Sequence, residues 1–413
     1  MSLFKNKIAV AVAIILAIIY CYSEADGKGD FYIFLSAADD LSKHINIFET
    51  TYVDGFHYYY SVFFGLLLKP FVGLPFVLVK TLWLIFNLSL LAHLFYLLMN
   101  ADFIKSLPQK RQNIFFIVIF LFSARFAKDN IHHSQVTILI LWCCIYGLYK
   151  VLRGSPVKGA LILALGINIK LLPVVFVPYL FYRGYFKAGC FVIGFYLLLL
   201  FLPSVFIGHE YNMSLLKTWF HLINPTNQIH VLDVDERSFH GLSTLLSTLL
   251  VKDVPDIYAL PLKRNIADVS LNTLSIILTS FRLLLVAMTL YFTGLSFWKK
   301  ARSQWQSCVE VSYVLLIIPL IFPHQQPYAF LFVIPAVCCI CYYMTTAAVS
   351  KNLFRCIVSL MVVIFLSFSL KFILGAFNNY YDHYKILTYG ALLLIPLLAW
   401  IWKGSKNNLR FIS

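Results

Sequence analysis

Charge is the scarcest feature of this 413-residue sequence. Asp, Glu, Lys and Arg make up 12% of it, against 61% hydrophobic residues, where soluble domains carry about 25% charged and roughly 45–50% apolar residues. That shortage excludes a soluble enzyme, a coiled coil and a disordered chain. Walker loop, dinucleotide fingerprint, nucleophile elbow and zinc spacing are all missing, as is a soluble nucleotide-sugar domain. Of nine cysteines, Cys143 and Cys144, then Cys338, Cys339 and Cys341, sit inside apolar runs without ligand spacing. They read as small core residues, which excludes a disulfide scaffold.

What is present is a series of long apolar runs: 8–22, 58–72, 75–99, 113–127, 134–150, 158–182, 186–207, 272–298, 306–322, 327–348, 353–373 and 384–402. They predict an all-α polytopic membrane protein of about 10–13 transmembrane or half-membrane helices, folded as one domain over 1–413. Its sizeable outer loops are 23–57 and 208–271. The net charge of +15 points to topology rather than to nucleic acid, because the basic residues fall mostly between the runs. Lys5 and Lys7 place the N-terminus in the cytoplasm, and run 8–22 reads as a retained helix rather than a cleaved leader. The basic loops around Lys105–Arg111, Lys150–Lys158, Lys299–Arg302, Lys351–Arg355 and Lys403–Arg410 all fall inside if 58–72 and 75–99 make one crossing. Run 58–72, broken by Pro70 and Pro75, then re-enters or lies in the interface; the alternative is a full span that breaks the rule for one loop.

Run 158–182 is interrupted by Gly166, Asn168, Lys170 and Pro173, which predicts two half-helices with Lys170 at an aqueous pocket rather than one kinked span. With this sidedness, the unusual polar stretches all face outward, as one outer site would require. From Asp30, an amphipathic surface helix follows, with Phe31, Phe34, Leu35, Ala38 and Leu41 on one side. Asp30 is either the cap of that helix or a general base for an acceptor hydroxyl. Residues 128–135 are expected to start a helix at the outer side, where His132, His133, Ser134 and Gln135 suit a sugar or phosphate better than a metal. Phe322-Pro323-His324-Gln325-Gln326-Pro327 offers donors and acceptors between two runs. Arg237, beside His240, suits a phosphate contact or is an ordinary loop arginine. Asn378, Asn379, Asp382 and His383 read as a plain interfacial loop.

These motifs, in this order, resemble the GT-C superfamily of lipid-linked-sugar glycosyltransferases, and within it glycosyltransferase family 87, the polyprenol-phosphate-mannose-dependent mannosyltransferases. The resemblance rests on Asp30, on Phe56-His57-Tyr58-Tyr59-Tyr60, on His133-Ser134-Gln135-Val136, on Gly166 to Pro173 and on Phe322-Pro323-His324-Gln325. It implies a GT-C-like helical bundle with an outer-face amphipathic helix after the first span. Asp30 corresponds to the family's essential aspartate. Gln135 matches its Gly-Gln-x-Asn element, with His133-Ser134 in place of the glycine and Thr137 in place of the asparagine. Lys170 and Pro173 match its Lys-x-x-Pro, and His324 its late histidine. Tyr60 replaces the proline of Phe-x-Tyr-x-Pro, and the tryptophan near the late histidine is missing.

The implied reaction is a single inverting displacement on a polyprenyl-phosphate sugar, with mannose as the family's sugar and a lipid or glycan as acceptor. Asp30 is the implied catalytic base. Tyr58, His132, His133, Gln135, Lys170, Arg237, His240, His324 and Gln325 are the implied substrate-binding residues. No metal or other cofactor is expected, and membrane lipids are the remaining partners. The site would face the periplasm or exterior of a bacterial inner membrane. Two rivals share the polar membrane residues: a lipid-linked-sugar flippase, which needs a polar path across the whole membrane, and an outer-face oligosaccharide polymerase or ligase, which favours paired arginines in long loops.

Overall fold

The computed structural model describes residues 7–224, 240–256, 259–347, 349–372 and 374–406. Helices and short 3-10 turns are the only regular elements among them. Among the described residues, seven helices are long and apolar enough to cross a membrane: Phe76–Met99, Phe186–Ile207, Leu271–Thr293, Gln304–Ile321, Pro327–Thr346, Lys351–Ser369 and Ile386–Lys406. Five shorter apolar helices accompany them. With the backbone paired inside each helix, apolar side chains can face hydrocarbon, and Leu197, Leu198, Ile276, Leu283, Val362 and Val363 are exposed. The chain is an integral membrane protein.

The chain packs as two compact units, one of residues 1–113 and 127–224, the other of 114–126 and 225–413. In the first unit, Lys7–Glu24 leads into Gly29–Ser42. The second of these helices buries Phe31, Ile33, Phe34, Ala37, Ala38 and Leu41, so Ile33 and Ala37 join the expected apolar face and Leu35 does not. Ser61 caps the next helix, Val62–Leu68, by accepting the Phe64 N–H at 3.1 Å. The apolar stretch Val62–Phe71 rises only about 15 Å, half of a hydrocarbon core of about 30 Å. Run 58–72 therefore holds too little helix to span that core by itself.

Residues 128–135 depart from expectation. They end the helix Gln109–His132 and turn, and the next helix begins at Thr137. Ser134 enters the left-handed region at φ +57, and its N–H donates to Ile131 O at 3.0 Å while Gln135 N–H donates to Asn130 O at 2.8 Å. The turn buries both Ser134 and Gln135, at 0% and 1% exposure.

The helices Thr137–Leu152 and Pro156–Ile169 then pack backbone to backbone. A Cβ on Gly159 would stand 2.5 Å from Gly147 O, so only glycine permits that approach. Run 158–182 breaks at Lys170, whose backbone is extended (φ −147, ψ 128), and resumes as the 3-10 turn Leu172–Val175 and the helix Phe176–Tyr182.

In the second unit, Gln304–Ile321 and Pro327–Thr346 each have 67% of their apolar window buried, whereas Leu271–Thr293 has 17%. The first two are interior helices and the last faces outward. His324, at φ +55, turns the chain between the two interior helices. Residues 378–383 are no plain loop: they form the helix Asn378–His383 with Tyr381, Asp382 and His383 buried.

Candidate active site

The first unit gathers the predicted polar residues from three segments far apart in sequence. Gly29, at φ +54, opens the helix Gly29–Ser42, a conformation open to glycine at little cost. Asp30 follows in the first helical turn and is half-buried. The N-cap position belongs to Lys28, which makes no side-chain cap bond. The Asp30 carboxylate instead accepts a hydrogen bond from Gln135 Nε2. A carboxylate in a first turn also gains from the helix dipole.

Gln135 is 1% exposed, and its other end accepts the Tyr60 hydroxyl at 3.1 Å. Tyr60 packs edge-on against Phe34 at 4.7 Å. The Lys170 ammonium stands 5.7 Å from the Tyr60 ring centroid, within range of a cation–π contact. The residue that departs from the family pattern is thus the one that links Gln135 to Lys170.

Two supports hold this arrangement. Trp83 Nε1 donates to Ser134 O at 2.9 Å while its ring stacks on Phe31 at 5.6 Å, which ties the Gln135 turn to the Asp30 helix. Ser61 Oγ donates to Asn168 Oδ1 at 2.9 Å, which ties the break before Lys170 to the segment carrying Tyr60. Asn168 Nδ2 and Ser134 Oγ are fully buried with no hydrogen-bond partner among the described residues. Buried polar atoms left unsatisfied normally await a partner such as a ligand or water.

The other candidates of this unit differ in placement. Tyr58 is fully buried, with its hydroxyl donating to Ser61 O at 2.9 Å, so it supports the Tyr60–Ser61 segment from within. His132 is exposed and its Nδ1 lies 2.9 Å from Glu24. His133 is exposed beside it, the two rings 5.0 Å apart.

Residues 58–323 match the profile of glycosyltransferase family 87, more than half of the chain. The protein belongs to glycosyltransferase family 87. No curated protein and no solved structure gives a significant match. The matched stretch of this membrane glycosyltransferase holds Tyr60, Gln135, Lys170 and His240, while Asp30 precedes it and His324 follows its last residue.

A second polar cluster of the family 87 chain lies in the other unit. His240 N–H donates to Gln325 O at 2.8 Å and Thr388 Oγ1 to His240 O at 2.6 Å. The His240 ring lies 3.5 Å from Asp382, which also pairs with Lys371 at 2.8 Å. Burial opposes ionisation of Asp382, but His240 and Lys371 outweigh it and bring its pKa down to about 2. Burial pushes the His240 pKa down to about 4. Asp256 pairs with Arg264 at 2.7 Å and with Lys385 at 2.8 Å, and Lys385 is 1% exposed. Beside this triad, residues 251–256 and 259–265 line a cavity of about 770 Å³. Gln325 is buried, with Nε2 donating to Pro323 O at 2.7 Å, and His324 is partly buried. Arg237 lies outside the described residues.

Lys385, Lys371 and Asp256 were not singled out in the sequence, and Asp382 was read there as part of a plain loop, because each ion-pair partner lies at a distance no local pattern signals. The buried Arg125, whose guanidinium donates to the Tyr381 hydroxyl at 2.7 Å, did leave a signal: an arginine in an apolar run.

Proposed function

We propose that this family 87 glycosyltransferase moves a hexose, mannose in our reading, from a polyprenyl-phosphate sugar to a lipid or glycan acceptor at the outer face of the membrane. The outer face is periplasmic if the membrane is a bacterial inner one. Asp30 takes the proton from the acceptor hydroxyl, that oxygen attacks the anomeric carbon, and the polyprenyl phosphate leaves with the electrons of the broken C–O bond. One displacement inverts the anomeric configuration.

The observation that carries this reading is the Asp30–Gln135–Tyr60 chain of hydrogen bonds. This carboxylate accepts a hydrogen bond from a side chain at another helix end, which capping its own helix does not require. Gln135 fixes the carboxylate's orientation, which positioned general bases require. Lys170, beyond Tyr60, supplies positive charge for the departing phosphate. Ser134 and Asn168 offer hydrogen-bonding atoms to sugar hydroxyls, and His240, His324, Gln325 and Arg237 belong to donor or acceptor binding.

The test is purified protein in lipid with a panel of polyprenyl-phosphate sugars and membrane lipid and glycan acceptors. Donor consumption, a hexose mass gain on an acceptor and an inverted anomeric centre in the product are expected. Retention of configuration would overturn the single displacement, and consumption of a nucleotide sugar in place of the lipid donor would overturn the donor class.

A further inference from the structure

Lys80 lies in the first turns of the apolar helix Phe76–Met99, yet its side chain is 1% exposed. A lysine buried in such a run demands matched partners or a function. Its Nζ donates to the Gly27 carbonyl oxygen and stands 6.0 Å from the Phe76 ring centroid. It also lies 3.8 Å from the point where a Cβ on Gly29 would sit, one residue before Asp30. A neutral amide could tether one carbonyl equally well; an ammonium adds a charge. Burial opposes the charge on that ammonium, and Glu24, Asp26 and Asp30, three acids within seven residues that repel one another, favour it.

We propose that Lys80 is a positioning residue of the glycosyltransfer reaction: it ties the turn before Asp30 in place and supplies the positive charge that keeps Asp30 ionised. This rests on Asp30 being the base. The segments that meet at Asp30 carry Glu24, Asp26, Lys28 and Tyr32 on its own stretch, Lys80 on the helix Phe76–Met99, Asp129, His132 and His133 at the end of the helix Gln109–His132, and Tyr60 with Lys170 beyond it. Glu24 is engaged by His132 at 2.9 Å, and Lys28 is exposed and leans over the Tyr32 ring at 5.1 Å. Lys80 is the buried cation of the set. A nearby opposite charge favours the ionised carboxylate, so losing it makes Asp30 harder to deprotonate.

The experiment labels Asp30 in the full-length protein in nanodiscs with a water-soluble carbodiimide and an amine across a pH series, read by mass spectrometry. Carbodiimide consumes the protonated carboxyl, so the labelling midpoint reports ionisation without a substrate. Lys80→Met and Lys80→Gln should raise the midpoint by about one pH unit, while Lys80→Arg stays with wild type. Lys80→Gln retains a donor for the Gly27 carbonyl, which keeps the test usable if Lys80→Met fails to fold. A wild-type midpoint in folded Lys80→Gln overturns the proposal and leaves Asp30 as base untouched. Full turnover in Asp30→Asn removes the base reading instead, whatever the labelling shows.

Discussion

In the second unit, Asp256 and Asp382 are 8% and 3% exposed at their side chains, and each meets two basic groups within 4 Å. In the first unit, Asp30 is half-buried and is held by the amide of a glutamine whose other end takes a tyrosine hydroxyl. Removing a partner from a buried ion pair strands a charge, so a substitution at either end of the second unit's pairs costs stability. A carboxylate oriented by a neutral amide, and still within reach of solvent, can exchange a proton with a substrate. The two clusters differ in burial and ion pairing, and under the proposed function that difference separates an acid that holds the fold from one placed to react.

That contrast can be broken most sharply by exchanging phenotypes. Asp30→Asn should lower turnover by about 10²- to 10⁴-fold with no change in unfolding temperature, whereas Asp256→Ala, which strands Arg264 and Lys385, should cost about 3–5 kcal/mol of stability. Thermal unfolding and turnover of both variants read the pair. Next in size is a pH effect confined to the second unit. His240 has its pKa lowered from 6.5 to about 4 by burial, so the unfolded chain binds a proton that the folded one refuses. The stabilisation is complete above about pH 6.5 and is lost as pH falls to about 4, on the order of 3 kcal/mol in all. His240→Asn should flatten that window in denaturant midpoints measured at each pH. Smallest is Gln135→Leu, which removes the orienting bond but not the base; it should lower turnover about 10- to 100-fold, with kcat falling more than KM changes.

Much of the fold was legible because lipid leaves helices as the way to satisfy a spanning backbone alone. The interruption at Asn168 and Lys170 was readable from polar and helix-breaking residues in mid-run, and the structure breaks the helix at Lys170. The turn at Ser134 was not, since a left-handed serine carries no sequence mark. Tyr60 looked like a departure from a motif, and its bond to Gln135 across 75 positions became visible only in three dimensions. Lys80, a lysine inside an apolar run, left the same signal as Arg125 and only its partners were hidden, while Asp382 was masked by a neighbourhood of interfacial tyrosines. In each case the missing information was a long-range partner, which periodicity and composition do not encode.

The central claim is that Asp30 is the base. Its most direct test is single-turnover transfer from a polyprenyl-phosphate hexose by folded wild type and folded Asp30→Asn, in lipid and with donor saturating. With Asp30 as base, the wild type delivers its sugar while Asp30→Asn binds the donor equally well and transfers at least about 100-fold more slowly. Equal single-turnover rates in the two proteins would contradict it.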